Sequence, residues 1–565
     1  MSSQKIILAL RSLSRRQWRL FITLALVGVV GTLWLLGGIN QIFSITVAAP
    51  GGSLSEGIIG SPRFINPLLA ISDADRDLST LVYSGLMRVN EKNKPEPDLA
   101  EKVEVSEDGL TYTFTLKDNL TWHDGAPLNT ADVEFTITST LNPIIKSVKR
   151  ASWEGVRIER VDDKIIRFHL KQPYPPFLDN ATMGILPKHI WGRLDPEVFA
   201  LNQFNIEGIG SGPYKVKNIK KDALGIPEYY DFVPFENFAL GKAKISNLRL
   251  FFYPNETELM NAYRQGKITS ASLISAESAK ALEALGSRVL RSPLPRVFGV
   301  FLNQSRAPVL ANPEVRKALN LSLDRSVVID GALSGYGQPI TGPLPNFSSS
   351  MSTSSISEAR AILENGGWEF NETSTTWEKK TKKETLTLSF TLTTSDTPEL
   401  KKAAEIIRDT WKQLGVAVDL KIFEIGDLNQ NVIRPRQYEA LFFGEILGRN
   451  MDTFAFWHSS QRLDPGLNIA LYTNSATDKI LEEVRRSSDQ EKIASLYQKF
   501  NDTVSSDTPA IFVYAPEFLY LLPTEIKNVT FPTINTAADR FLNIYRWHIK
   551  TDRVWPIFAN KNNQI

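Results

Sequence analysis

Apolar residues follow three rhythms along this chain. The first is unbroken. From Leu20 to Ser55 there is no charged side chain, and Leu20 to Ile39 is dominated by apolar residues. Twenty residues at about 1.5 Å rise cover roughly 30 Å, the thickness of a bilayer's hydrocarbon. Lys5, Arg11, Arg15, Arg16 and Arg19 precede the run with no acid among them. This asymmetry puts residues 1–19 in the cytoplasm as a basic segment, 20–39 across the membrane, and the bulk of the chain outside, in the periplasm or at the cell surface. A cleaved signal peptide has an apolar core of about 7–15 residues. The longer run here favours an uncleaved anchor. Val47-Ala48-Ala49 has the small residues of a cleavage site, so a cleaved signal stands as the second reading, with Pro50 set against cutting. A buried core helix is the third, and the basic flank argues against it.

The second rhythm is strict alternation. Residues 111–117 (TYTFTLK) and 165–170 (IIRFHL) read as half-buried strands. His123-Asp124-Gly125 between them is a turn signal, and 86–204 becomes a small strand-rich unit. The third rhythm is helical. Pro398 to Gly415 places Leu400, Ala403, Ala404, Ile407, Trp411 and Leu414 on one stripe, and Gly415 stops it. Strand-like segments flank it (LTLSFTLT and VAVDLKIF), so 385–423 predicts a β–α–β unit with parallel strands. Asn312 is expected to cap a helix beginning at Pro313, and Ser357 one ending at Gly366-Gly367. ATDKILEEVRR and QEKIASLYQKFNDTV are amphipathic. The Ser/Thr-rich run 348–355 is a surface loop, and no fixed-period repeat is seen.

Composition changes the picture mainly by exclusion. A chain of 565 residues exceeds the roughly 250–300 that one domain usually holds, so two or three domains are expected. With 64 basic and 62 acidic side chains the net charge is +2, which gives no case for nucleic acid binding. There is no cysteine, hence no disulfide, thiolate metal site, cysteine nucleophile or lipid-modified cysteine. Five scattered histidines make a histidine-built metal centre improbable. Gly-Ile-Gly-Ser-Gly at 208–212 has the wrong spacing for a nucleophile elbow, and Gly266-Lys267 lacks the first glycine of a phosphate-binding loop. His123-Asp124 could be a base and its orienter, but a turn at a strand end explains it more simply. The expectation is no enzyme, no catalytic residue, no metal and no cofactor.

Six segments, in order, resemble the family 5 extracellular solute-binding proteins, the oligopeptide- and dipeptide-binding subunits of ABC importers. They are Arg63-Phe64-Ile65-Asn66-Pro67; Leu81-Val82-Tyr83-Ser84-Gly85-Leu86; Pro97-Asp98-Leu99-Ala100 and the run to 135 (EVSEDGLTYTFTLKDNLTWHDGAPLNTADVEF); GSGPYKV at 210–216; and VRKALNLSLDRSVVIDGALSGYGQPITGPLP at 315–345, whose helix and following Pro-rich segment are each similar to a family pattern. The resemblance covers about 55–545. Most of these residues also have a structural reading: Gly85, Gly109, Gly125 and Gly212 as turn formers, Trp122 and Phe114 as core, none as ligand contacts.

What the resemblance implies is an α/β, two-lobed periplasmic-binding-protein-like fold of type II with an extra β-rich domain, preceded by one N-terminal transmembrane helix. Lobe I would be 54–86, 205–292 and 515–548, the extra β-rich domain 87–204, and lobe II 293–514. Residues 40–53 would be a linker and 549–565 a tail. The function implied is a monomeric, membrane-tethered receptor that captures peptides between its lobes and delivers them to ABC transporter permease subunits. Alternatives within the fold are a receptor for a nickel chelate, oligosaccharide or opine, or a surface sensor. The implied ligand strip is 440–458. There the family places an acid that meets a peptide's amino group, whereas this chain has Arg449, with Asp452 matching a second acid. Glu445 is a candidate replacement anion. Arg449 could instead take a carboxylate or phosphate, or pair with Asp452 three residues on. Asn450, Trp457, Asn468 and Tyr472 complete the candidate ligand-binding set, Trp457 with core packing as an equal alternative.

The uncharged run and its basic flank generate a first prediction. The full chain should stay with membranes after carbonate washing, and sequencing its mature N-terminus should not yield a chain starting near Pro50.

Overall fold

In the computed structural model of the chain, residues 14–347, 353–382, 384–487 and 489–558 are described. Residues 348–352, most of the predicted Ser/Thr-rich loop, lie outside them. The first rhythm forms a helix, Arg15–Phe43, long and apolar enough to cross a membrane, with none of its apolar window covered by the rest of the molecule. It runs almost directly into a strand, Ile45–Ala49. That strand pairs antiparallel with Lys550–Val554 over five residue pairs, from Ile45 opposite Val554 to Ala49 opposite Lys550. Part of the expected linker and part of the expected tail therefore form one two-stranded ribbon. Backbone bonds strap its end to the body, from Gly51 N–H to Lys244 O at 2.8 Å and from Asn247 N–H to Gly52 O at 3.3 Å.

Most of the remaining strands join one long mixed sheet. From one end its order is Ala417–Phe423, Ser389–Ser395, Ala440–Ile446, Arg296–Leu302, Ala510–Leu521, Ser270–Ser272, Ser53–Ile59, Asn247–Tyr253, Pro227–Pro234 and Tyr214–Lys221, with Val289–Pro293 and Gly337–Pro339 also paired to Ala510–Leu521. The predicted β–α–β unit is present. Ser389–Ser395 and Ala417–Phe423 pair in parallel, and the helix Pro398–Leu414 buries all six residues of its expected stripe. Gly415 follows at φ +98°, a left-handed conformation that favours glycine. The smaller four-stranded sheet carries the alternating segments, Thr111–Leu116 and Ile165–His169, as neighbours.

Local chemistry departs from expectation at several points. Asn312 stands at its helix's N-cap position, but its amide donates back to Pro308 O and Val309 O and caps nothing ahead. Ser355, not Ser357, caps the next helix by accepting from Glu358 N–H. Gly109 and Gly125 are turn glycines with positive φ. Gly85 and Gly212 are not. A Cβ at either would come within 2.6 Å of a carbonyl oxygen, Thr182 O or Leu81 O, so they allow close chain approach.

Strand Ala510–Leu521 passes from one half of the large sheet to the other. Its first part pairs with Arg296–Leu302 and its second with Val289–Pro293, the latter from Val289 opposite Leu521 to Pro293 opposite Glu517. Both chains carry a proline where they cross, Pro295 and Pro516. Beside the crossing, a fully buried ion cluster lies in the half that holds Ser53–Ile59 and the second part of the strand. Arg540 donates to both Asp77 carboxylate oxygens at 2.7 Å and to Glu56 at 2.6 and 2.9 Å, and Tyr520 O–H donates to Glu56 at 2.6 Å. Burial pushes Asp77 up to about 6, against the pull of Arg540.

Two carboxylates thus share one guanidinium, and removing it should be costly. Arg540→Met leaves both acids buried and unpaired, and should lower unfolding free energy by about 3–5 kcal/mol in denaturant titration. Between the ordinary value of 3.8 and about 6, the folded protein holds a proton on Asp77 that the unfolded chain has released. Stability should therefore fall as pH rises through that window, and Asp77→Asn should flatten the dependence.

Candidate ligand-binding cleft

The family-like motifs build the floor of a cavity of about 440 Å³. Ser72 and Asp75 form a capping box that starts the helix Asp73–Val82. Asp75 also accepts from Arg63 N–H at 2.6 Å and Phe64 N–H at 2.9 Å, fixing the first motif against the second. The chain then turns through Tyr83, Ser84 and Gly85, which line the cavity. Gly210 and Gly212 lie so close beneath Val82 that neither tolerates a side chain. His123 clamps this junction: Gly210 N–H donates to its Nδ1 at 3.3 Å and its Nε2 meets Gly212 O at 3.0 Å. Burial lowers its pKa to about 4. Asp124 bonds His189 instead. His123-Asp124 is a structural joint, with no base–orienter geometry.

The cavity wall is rich in charge. Arg76, Arg88, Lys149 and Arg449 face Asp98, Asp179 and Asp539. Lys149 is held below its ordinary value, first by burial and then by Arg76, with Asp539 opposing. Burial raises Asp98 to about 6, with Arg88 and Lys117 pulling the other way. Arg88 donates to Leu542 O and Asn543 Oδ1, and its guanidinium stacks 4.8 Å over the Tyr545 ring. Tyr83, Asp98, Trp153, Arg449 and Asn535 each keep one buried polar atom without a hydrogen-bond partner in the protein. Such atoms cost about 1–3 kcal/mol apiece when unmet. These atoms gather around the cavity, Arg449 on one side and the others on the wall it faces. Among the described residues no group of His, Asp or Glu stands together as a metal site would.

The candidate strip 440–458 reaches this wall only at its middle. Arg449 spans to Asp539 at 2.9 Å, and Asn450 donates to Asp179 Oδ2 at 2.7 Å. The expected pair of Arg449 with Asp452 does not form. The segment is a turn with Gly448 at φ +71° and Met451 at φ +50°, so side chains three apart diverge. Arg485 takes Asp452 at 2.7 Å and stacks 3.9 Å from the Phe454 ring centre. Four other candidates have interior partners. Glu445 accepts from Trp457 Nε1 at 3.1 Å, and burial holds it well above the usual carboxylate range. Trp457 is fully buried among Phe301, Tyr472, Phe500 and Phe512. Asn468 donates to His458 O and Tyr472 O, and Tyr472 O–H donates to Asp507 at 2.5 Å. These four are not on the cavity wall.

Sequence reasoning passed over Lys149, Asp179 and Asp539. Asp539 carries a signal, since it closes a capping box with Thr536, but a capping box does not announce a cleft. Asp98 and the Tyr83–Gly85 turn were visible as motif residues and assigned to structure alone.

The comparisons with known proteins agree with this architecture. The family model described as bacterial extracellular solute-binding proteins, family 5 Middle, matches residues 94–463, and the chain belongs to that family. The oligopeptide-binding protein AppA of Bacillus subtilis (strain 168) is 26% identical over 511 residues, 88% of this chain and 91% of the relative. The structure of the ABC transporter substrate-binding protein CtaP from Listeria monocytogenes superposes with a TM-score of 0.72 at 25% identity, covering 89% of this chain and all of that one. NikZ from Campylobacter jejuni, solved in complex with Ni(L-His), gives 0.65 at 26% identity, covering 88% and 99%. The fold is the two-lobed α/β fold of the periplasmic binding proteins, preceded here by one apolar helix.

Arg449 and Asn450 are the two bridges from their strip to the opposite wall, and both are only partly screened from water. Arg449→Ala should leave the fold intact, changing stability by no more than about 1 kcal/mol. It should shift the unliganded protein toward a more open form, seen as a larger radius of gyration in small-angle scattering.

Proposed function

We propose that this protein is the peptide-capturing receptor of an ABC importer, working as a monomer held at the outer face of the membrane by the uncleaved helix Arg15–Phe43. The observation that carries the reading is the cavity wall itself: buried, charged, and holding polar atoms that its own residues leave unmet, next to a sheet crossed by two proline-interrupted strands. The relatives named for oligopeptide binding support peptide as the solute. The division we propose is lobe I at 54–86, 205–292 and 515–548, the β-rich domain at 87–204 and lobe II at 293–514. The separate apolar clusters on either side of the crossing support the division of lobe I from lobe II, while the β-rich residues share the first cluster with lobe I.

In this reading the two lobes rotate about Pro295 and Pro516. A ligand that touches both walls favours the closed form by its differential affinity alone. An extended peptide would bind mainly through its backbone, as an added strand does. Arg449 and Asn450 are the proposed contacts from lobe II. Glu445, Trp457, Asn468 and Tyr472 act from beneath as the packed bed of that segment. No chemical step is required, and the receptor releases its ligand unaltered.

Native mass spectrometry of protein purified without denaturation should show a co-purifying peptide. A nickel chelate, sugar or opine in its place would overturn the choice of solute. Ligand should compact the protein in scattering and be recovered unchanged. Arg449→Asp places a second carboxylate beside Asp539 and turns a neutral pair anionic. At ~4 Å and an effective dielectric near ~20, unit charges interact by roughly 4 kcal/mol before desolvation. Calorimetry with one peptide, free and acetylated at its amino end, should show the affinity ratio moving at least about 10-fold toward the free amine. An unchanged ratio would remove Arg449 from the specificity determinants.

A further inference from the structure

The membrane helix does not end in a loose tether. Its last residue, Phe43, is two positions before the strand Ile45–Ala49, and Ser44 and Val47 are buried. The partner strand Lys550–Val554 leads into Trp555 and Ile557, and the Trp555 and Phe43 rings stack with centroids 6.1 Å apart. Phe43, Trp555 and Ile557 are 58%, 40% and 81% exposed. Apolar side chains from the two ends of the chain thus form one patch at the foot of the helix.

Helix geometry fixes the height of that patch. If Leu20–Ile39 fills the hydrocarbon, Phe43 stands four residues, or about 6 Å, beyond it. The polar layer on each face of a bilayer is about 5–8 Å deep, from the difference between total and hydrocarbon thickness. Trp18 stands just before the other end of the run. From Trp18 to Phe43 is 25 residues, about 37 Å, which sets aromatic rings at both headgroup levels, where Trp is enriched.

We infer that Phe43, Trp555 and Ile557 form a membrane-surface dock: the ribbon of Ile45–Ala49 with Lys550–Val554 seats this patch in the headgroup layer of the outer leaflet and fixes how the receptor stands on the bilayer. The inference rests on the proposed membrane tether and adds to it that the C-terminal segment touches lipid. The occupant is the bilayer interface, because the patch is continuous with the spanning helix and lies at headgroup height. A rigid stand of this kind keeps the cleft at a set height and orientation, whereas a flexible linker would let the receptor tumble.

The absence of cysteine gives a clean test. Ile557→Cys in the full chain is labelled with an environment-sensitive fluorophore, and the protein is reconstituted into phosphatidylethanolamine–phosphatidylglycerol vesicles. The comparison site is Leu224→Cys, also exposed, in the turn between Tyr214–Lys221 and Pro227–Pro234. By strand register that turn lies at the end of the sheet away from Ser53, more than about 20 Å along the strands. Vesicle flotation reports the tether, and quenching by headgroup nitroxide lipids reports the dock. Flotation with quenching several-fold stronger at 557 than at 224 is the expected result. Flotation with equal quenching would overturn the dock and leave the tether standing. Failure to float would remove the tether and the dock together.

Discussion

Every apolar core of the exported part meets on one strand, Ala510–Leu521. Ile511, Val513 and Tyr514 belong to one cluster and Ala510, Phe512 and Ala515 to a second on the other face. Beyond Pro516, Phe518 and Tyr520 enter a third, and Leu519 and Leu521 a fourth. Period-two alternation in a strand buried on both faces, slipped by one residue at the bulge where Phe512 and Tyr514 face Gly299 and Phe298, produces this distribution, and burial on both faces explains why the run is apolar throughout. It also sets the mechanical character of the protein. Each half of the strand is anchored in two cores, and the crossing between them carries Pro295 and Pro516, which have no backbone N–H to give a ladder, so the proposed lobe motion is placed there.

The buried cluster of Arg540, Glu56, Asp77 and Tyr520 stands beside that crossing and reaches the cleft through the helix Ala537–Arg546, which also carries Asp539. Asp539 is therefore a stiffly mounted acid. It accepts from Asn535 N–H at 2.7 Å and Thr536 N–H at 3.0 Å before Arg449 arrives. Arg449, by contrast, projects from a turn. One fixed partner and one adaptable partner make a contact that can form and break without disturbing either core.

Much of the fold was legible because periodicity is a local property. The stripe from Leu400 to Leu414 and the alternation in Thr111–Leu116 each appear where a face must be buried, and the uncharged run appears as the apolar helix Arg15–Phe43. The ordered motifs supplied the family and with it the lobes, which periodicity alone does not give. The cleft was less legible for a physical reason. Its partners are remote in sequence: Asp179 and Asn450 are 271 positions apart, and Arg88 and Asn543 are 455. Proximity in sequence suggested Asp452 for Arg449, but a turn between them sent the two apart. Composition cannot separate an aromatic pocket wall from core packing, so Trp457 was undecided until its neighbours were known. The pairing of Ile45–Ala49 with Lys550–Val554 joins segments that sequence reading treated as a linker and a tail.

A receptor of this kind must not close firmly by itself, and the geometry respects that limit. To move a two-state equilibrium from 1:99 to 99:1, a ligand needs about 5.5 kcal/mol of preference for the closed form. Exposed ion pairs contribute about 0–1 kcal/mol, and one hydrogen bond to a charged group about 1.5–3. Arg449 with Asp539, at 16% and 14% side-chain exposure, and Asn450 with Asp179 together fall short of that preference. The unmet polar atoms of Tyr83, Asp98, Asn535 and Arg449 add to the gap in the ligand's favour, because closure without a ligand keeps them unbonded away from water. In the proposed reading, a solute that bonds to both walls decides between the open and closed forms. The same argument explains why the wall mixes cations and acids. A wall of one sign would repel itself on closing, whereas a mixed wall can close on a zwitterionic chain whose charges are likewise mixed.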